Sequence, residues 1–252
     1  MIREDWAQNG MTMVPQSAVI RAWIGDPPYL FAVPDLTKFS DKHRSADVDA
    51  ARYIAPETAT RKVFDIADLA RLEREDKVID HAVVVLHPFD EPDLDVLRRA
   101  VDADSVARLF VLAWAPIDMV RTWLDGRGAV NLHTGATAGQ DPLMVAAAKL
   151  MVNEEYNGLS SGIGKTVVVE LVCAFRVAGY PPDADNWLGA YFAAGGTFRH
   201  AASVKKLVTE IKAGTKHRVP RRYRDNIFEI IKAQVESDLT EAQEGPEGEA
   251  DG

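Results

Sequence analysis

A chain of 252 residues with 47% hydrophobic and 27% charged residues has an ordinary globular composition, with material for one large or two small domains. A net charge of -9 argues against indiscriminate polyanion binding, and a single cysteine excludes an intrachain disulfide framework and a cysteine-based zinc cluster. No apolar run reaches the roughly 18 residues needed to span a bilayer, and MIREDWAQNG lacks an apolar core behind a basic start. A cytoplasmic protein with no membrane contact, no metal and no cofactor is expected.

Residues 1–15 read as a flexible lead-in. SAVIRAWI (17–24) and YLFAV (29–33) are rich in β-branched and aromatic residues and predict two strands, separated by the turn signal GDPP. Residues 35–59 are polar and read as loop plus a short helix, and 66–75 as helix. HAVVVLH (81–87) and RLFVLAW (108–114) are short continuous apolar runs, the pattern of strands buried on both faces. Between them, Leu94, Leu97 and Val101 recur at helical spacing. A helix over 116–124 leads to a further strand, GAVNL (128–132). Strand, helix, strand, helix, strand implies a parallel sheet with right-handed crossovers, so residues 16–135 predict a small α/β domain.

TGATAGQ (134–140) is the linker candidate. Beyond it, residues 136–235 predict an all-helical domain of five helices over about 141–156, 165–178, 183–194, 201–213 and 222–235. Asp141-Pro142 has the form of a helix start, while Gly179, Gly195-Gly196 and Gly214 have the form of helix stops. Residues 236–252, ESDLTEAQEGPEGEADG, are expected to form an acidic disordered tail.

GLSSGIGKT (158–166) ends like a phosphate-binding P-loop. That motif needs a glycine, four residues and then Gly-Lys-Ser/Thr. Here the first position falls on Leu159, and the preceding residues, MVAAAKLMVNEEYN, read as a helix rather than a strand. The expectation is a helix-to-helix connector in which Ser160 or Ser161 caps the following helix. Free N–H groups at that helix start give Ser161, Gly164, Lys165 and Thr166 as phosphate-binding candidates.

Charge is distributed unevenly. Residues 198–232 carry ten Lys/Arg against three Asp/Glu, for +7; residues 236–252 carry seven acids and no base, for -7; the rest of the chain is therefore -9. Val204, Leu207, Val208 and Ile211 form an apolar stripe that turns Lys205 and Lys212 outward. Arg199, Lys205, Lys206, Lys212, Lys216, Arg218, Arg221, Arg222 and Arg224 are the candidates for contacting a polyanion. Short helices followed by a basic extended segment suggest a helix-turn-helix with a wing-like appendage, and Tyr223 is a candidate base-stacking residue. The acidic tail is a competing partner within the chain, and Glu154 or Glu155 a structural partner for Arg199 or a loop base.

Open parallel sheets bind ligands at the carboxyl ends of their strands. His87, Trp114, Asn131 and His133 fall at such ends, with Asp90, Glu91, Asp93, Asp118 and Thr134 nearby. His87, Asn131 and His133 are the catalytic candidates, provided their strands are neighbours. The competing structural reading has His87-Pro88 as a turn, Asp90 or Glu91 capping a helix, and Asn131 and His133 bonding the linker backbone. No HExxH, GxSxG or GxGxxG pattern occurs. Cys173, in VVVELVCAF, reads as a core thiol.

The leading expectation is an accessory protein that contacts nucleic acid or another polyanion through residues 199–224, modulated by the acidic tail. The alternatives are an enzyme acting on a nucleotide or phosphorylated small molecule at the strand edge, and a protein-interaction adaptor.

Overall fold

The computed structural model describes residues 1–5, 13–39, 45–75, 77–113 and 118–244. The chain divides into two compact units, Met1–Gly139 and Gln140–Gly252.

The first unit is an α/β layer structure around a parallel sheet. In chain order its elements are β1 (Ile2–Asp5), α1 (Met13–Ile24), β2 (Tyr29–Val33), α2 (Ala46–Ile54), β3 (Arg61–Asp65), α3 (Leu69–Arg74), β4 (Ile79–Leu86), α4 (Glu91–Asp102), β5 (Val106–Ala113), α5 (Met119–Gly126) and β6 (Val130–Asn131). The strands lie in the order β3-β2-β4-β5-β1-β6, every pair parallel. The apolar runs occupy the middle: Val83, Val84, Val85 and Leu86 of β4 and Phe110, Val111, Leu112 and Ala113 of β5 are fully buried. Strand alternation divides them between two faces. Val84, Leu86, Phe110 and Leu112 share one apolar cluster with Ile20 and Ile24 of α1, Phe31 and Val33 of β2, and Ala51 and Ile54 of α2. α3 and α4 pack on each other, as α1 and α2 do. Right-handed crossovers put α1 and α2 on one face and α3, α4 and α5 on the other.

Two expectations change here, and one strand falls where none is expected. Residues 17–24 belong to α1, not to a strand. Gln16, Ser17, Ile20 and Ile24, three to four positions apart, are the buried set, and the helix stops at Gly25 (φ 92), whose N–H reaches the Arg21 carbonyl. Polar RKVFD forms β3, an edge strand whose half-buried side chains give no apolar run. Residues 2–5, in the expected flexible lead-in, form β1 between β5 and β6; Ile2 pairs with Phe110 and Val130. No local pattern announces a strand held by partners more than a hundred residues away.

The second unit is helical: α6 (Pro142–Val152), α7 (Gly162–Val177), α8 (Ala184–Ala193), α9 (Phe198–Lys212) and α10 (Ile227–Glu244), with a 3-10 turn at Glu155–Asn157. Asp141 caps α6 by accepting the Leu143 and Met144 N–H groups at 2.8 and 3.2 Å. Gly179, Gly195 and Gly214 end α7, α8 and α9 with positive φ. The core centres on α7, where Val167, Val168, Leu171, Val172 and Phe175 are buried. Phe175 makes edge-on contacts with Tyr180, Trp187 and Phe228 at 5.0–5.3 Å between ring centres. The stripe Val204, Leu207, Val208 and Ile211 is buried. The tail expected to be disordered from Glu236 is helical up to Glu244, as the end of α10; residues 245–252 lie outside the described residues.

Among the described residues no helix is long and apolar enough to cross a membrane, and no group of three or more His, Cys, Asp or Glu is placed to hold a metal ion.

Candidate functional site

The GLSSGIGKT segment joins a 3-10 turn to α7, so no strand presents it. Gly158 turns the chain at φ 74, and Leu159 inserts into the core. Gly164 lies against the Gly158 backbone: a Cβ there would overlap the Gly158 carbonyl. Ser161 occupies the N-cap position but makes no capping bond through its side chain. Thr166 is buried, and its hydroxyl donates to the Gly162 carbonyl at 3.1 Å. Two of the four phosphate candidates, Gly164 and Thr166, thus have structural roles. Ser161 is exposed and Lys165 half-buried.

The basic segment is better organised than its composition suggests. After α9, residues 213–226 run without helix or strand back to α10. Two carboxylates fasten this strap. Glu170 of α7 accepts the main-chain N–H of Arg222 at 3.0 Å and that of Tyr223 at 3.0 Å. Glu154, 7% exposed at the end of α6, pairs with the Arg222 guanidinium and accepts from the Asn157 amide at 2.8 Å. A carboxylate this buried requires such compensation. At the other end of the strap, the almost fully buried His217 ring places Nε2 3.4 Å from Glu210 of α9. Glu155 serves the core instead: it accepts the N–H of Thr197 at 2.9 Å, its hydroxyl at 3.1 Å, and the Tyr191 hydroxyl. Burial, with Glu155 alongside, pushes the Tyr191 phenol far up.

The nine polyanion candidates therefore separate. Arg222 is a clamp. Arg221 pairs with Asp225 at 2.7 Å, Lys212 with Asp183 at 3.3 Å, and Lys206 lies 4.0 Å from Glu210. For Arg199, Lys205, Lys216, Arg218 and Arg224 no ion pair is present among the described residues. All but the half-buried Lys205 are exposed. Tyr223 is half-buried, and burial raises its phenol pKa. The Glu154–Arg222 pair realises the structural partnership expected of the acids after α6.

At the sheet, the three catalytic candidates do not converge. β4 and β5 are neighbours, but β1 separates β5 from β6. Three strand spacings, about 14 Å, divide the β4 and β6 ends. Asn131 accepts the N–H groups of His133 and Thr134 at 2.9 and 3.0 Å, a turn-closing role, and His133 is exposed. His87 differs: it has φ 44, Nε2 lies 4.0 Å from Asp118, and its ring sits 5.4 Å from that of Phe89. It follows β4, beside β2, where the chain leaves toward opposite faces, the usual ligand crevice of open α/β sheets. Asp35, Asp65, Asp90 and Asp93, from three stretches of the chain, gather at this edge. Burial, reinforced by Asp65 and Asp90, raises the Asp93 carboxyl to about 6. Thr37 and Lys38 hold Asp35 far below the usual carboxylate range. Asp90 takes the N-cap position of α4 without a side-chain capping bond. Trp114 lies outside the described residues.

Comparison with protein-family models, curated protein sequences and solved structures returned no match. The functional argument rests on these two surfaces, one cationic and one rich in carboxylates.

The half-buried Cys173 lines a groove of about 480 Å³ between α7, the end of the strap and the start of α10. Burial pushes its thiol up, away from the thiolate that nucleophilic chemistry needs.

Proposed function

We propose that this protein is a cytoplasmic accessory factor that contacts nucleic acid or a similar polyanion through α9 and the basic strap. The observation that carries the reading is the double fastening of the strap by Glu170 and Glu154. A cationic segment held in place loses less conformational entropy on binding than a loose tail does. Arg199, Lys205, Lys216, Arg218 and Arg224 neutralise phosphates, and Arg222 positions the strap that carries them. α8 and α9, joined by residues 194–197, supply the helix pair of a helix-turn-helix. The enzyme reading draws less support: carboxylates at the strand edge repel a phosphorylated substrate.

Fluorescence anisotropy with short duplexes and single strands, across a salt series, tests the proposal. About five phosphate contacts give a slope of log K on log salt of about -4.5 for duplex DNA. The double change Arg218→Glu, Arg224→Glu lowers that slope by about 2, and removal of residues 236–252 tightens binding. No binding at low salt by either the full chain or the truncated one would overturn the proposal; capture of a discrete protein partner in its place would favour the adaptor.

A further inference from the structure

We infer that the distal part of α10 docks on a second copy of this chain, where it covers the partner's strap and the groove beside it. Among the described side chains, those that anchor α10 lie along its first half. Phe228 packs on Phe175 and Tyr180, Ile231 is 4% exposed, and Val235 is half-buried. The stripe continues at the same spacing to Leu239, which is 53% exposed. Around it stand Glu236, Asp238 and Glu241, all exposed. Glu236 lies 3.9 Å from Lys232 of its own helix, and for Asp238 and Glu241 no ion pair is present among the described residues. One unit thus carries an acidic helix end with a bare leucine and a basic strap on which Arg218 and Arg224 have no ion pair among the described residues.

Helix geometry separates the two within one chain. At 1.5 Å per residue, Glu236 to Glu241 lie about 14–21 Å along α10 from its start, where the strap ends. That exceeds the roughly 8 Å screening length at physiological salt, and a continuous helix cannot turn back on itself. The groove offers what the helix end lacks. Ala174, Val177, Tyr223 and Phe228 supply apolar surface, Val177 being 87% exposed. Glu170, Asp225 and Glu229 also line the groove; Glu170 holds the strap and Asp225 pairs with Arg221, so the positive charge offered to an incoming acid is that of Arg224. Leu239 of one copy fills the partner's groove, while Asp238 and Glu241 meet the partner's Arg218 and Arg224. Each chain carries both halves, and the arrangement we infer is the reciprocal one, which closes as a two-fold dimer instead of propagating. This inference is independent of polyanion binding, although the two ligands compete for the strap.

Sedimentation velocity on the full chain, without nucleic acid, is the test. The wild type is expected to form a dimer at low salt that dissociates as salt rises. The double change Asp238→Lys, Glu241→Lys and the double change Arg218→Glu, Arg224→Glu each weaken dimerisation at least about tenfold. Mixed in equal amounts, the two variants form a heterodimer, because each acidic surface then faces a basic one; the rescue also shows that both are folded. A wild type that stays monomeric at low salt overturns the inference. So does a dimer insensitive to both reversals, or a mixture that fails to associate.

Discussion

Single residues show where composition misleads. Gly164 and Thr166 complete the Gly-Lys-Thr spelling, yet one permits a close backbone approach and the other returns its hydroxyl to the helix. Gly164→Ala is expected to destabilise the chain by about 1–3 kcal/mol, read from the midpoint of chemical unfolding. An unchanged midpoint would show that the connector has room to move. At the sheet edge, Asp93 makes the reverse point: an acid in the first turn of α4 whose burial works against its charge. Its folded pKa, about 6, lies above the ordinary 3.8. The folded state therefore binds more protons than the unfolded state between these values, and this group's contribution to stability falls as pH rises from about 4 to about 6. Asp93→Asn is expected to raise the unfolding temperature at neutral pH, by on the order of 1 kcal/mol in stability once partial exposure is allowed for. The gain disappears below pH 4. An equal effect at both pH values would locate the cause in packing instead.

Among the elements, the strap is half legible in the sequence. Its cations were legible because charge is written directly in composition. Its fixed path was not, since Glu154 and Glu170 lie 68 and 52 positions from Arg222. Glu170→Ala frees two main-chain N–H groups and is expected to cost about 1–2 kcal/mol. Amide exchange at Arg222 and Tyr223 accelerates, while the core of α7 stays protected. Exchange unchanged at these two positions would show that other contacts hold the strap. The helix stops at Gly179, Gly195 and Gly214 were legible because a positive φ is a local requirement. α1 was not legible as a helix: β-branched and aromatic residues suit both states, and the choice lies in which of them find a partner.

For the molecule as a whole, residue order alone specifies an α/β region with a parallel sheet ahead of a helical one. Apolar runs of strand length alternating with helical periodicity leave few other arrangements. It also specifies where the strongest charge lies. Long-range packing sets the strand order, which inserts β1 between β5 and β6 and so keeps His87 and His133 apart. It also gathers the aspartates at the β2 and β4 ends, fastens the strap, and carries α10 on to Glu244. The physical reason is common to all of these. Periodicity and capping are properties of neighbours along the chain. Pairing between distant strands and compensation of a buried charge depend on residues that meet only once the chain has folded.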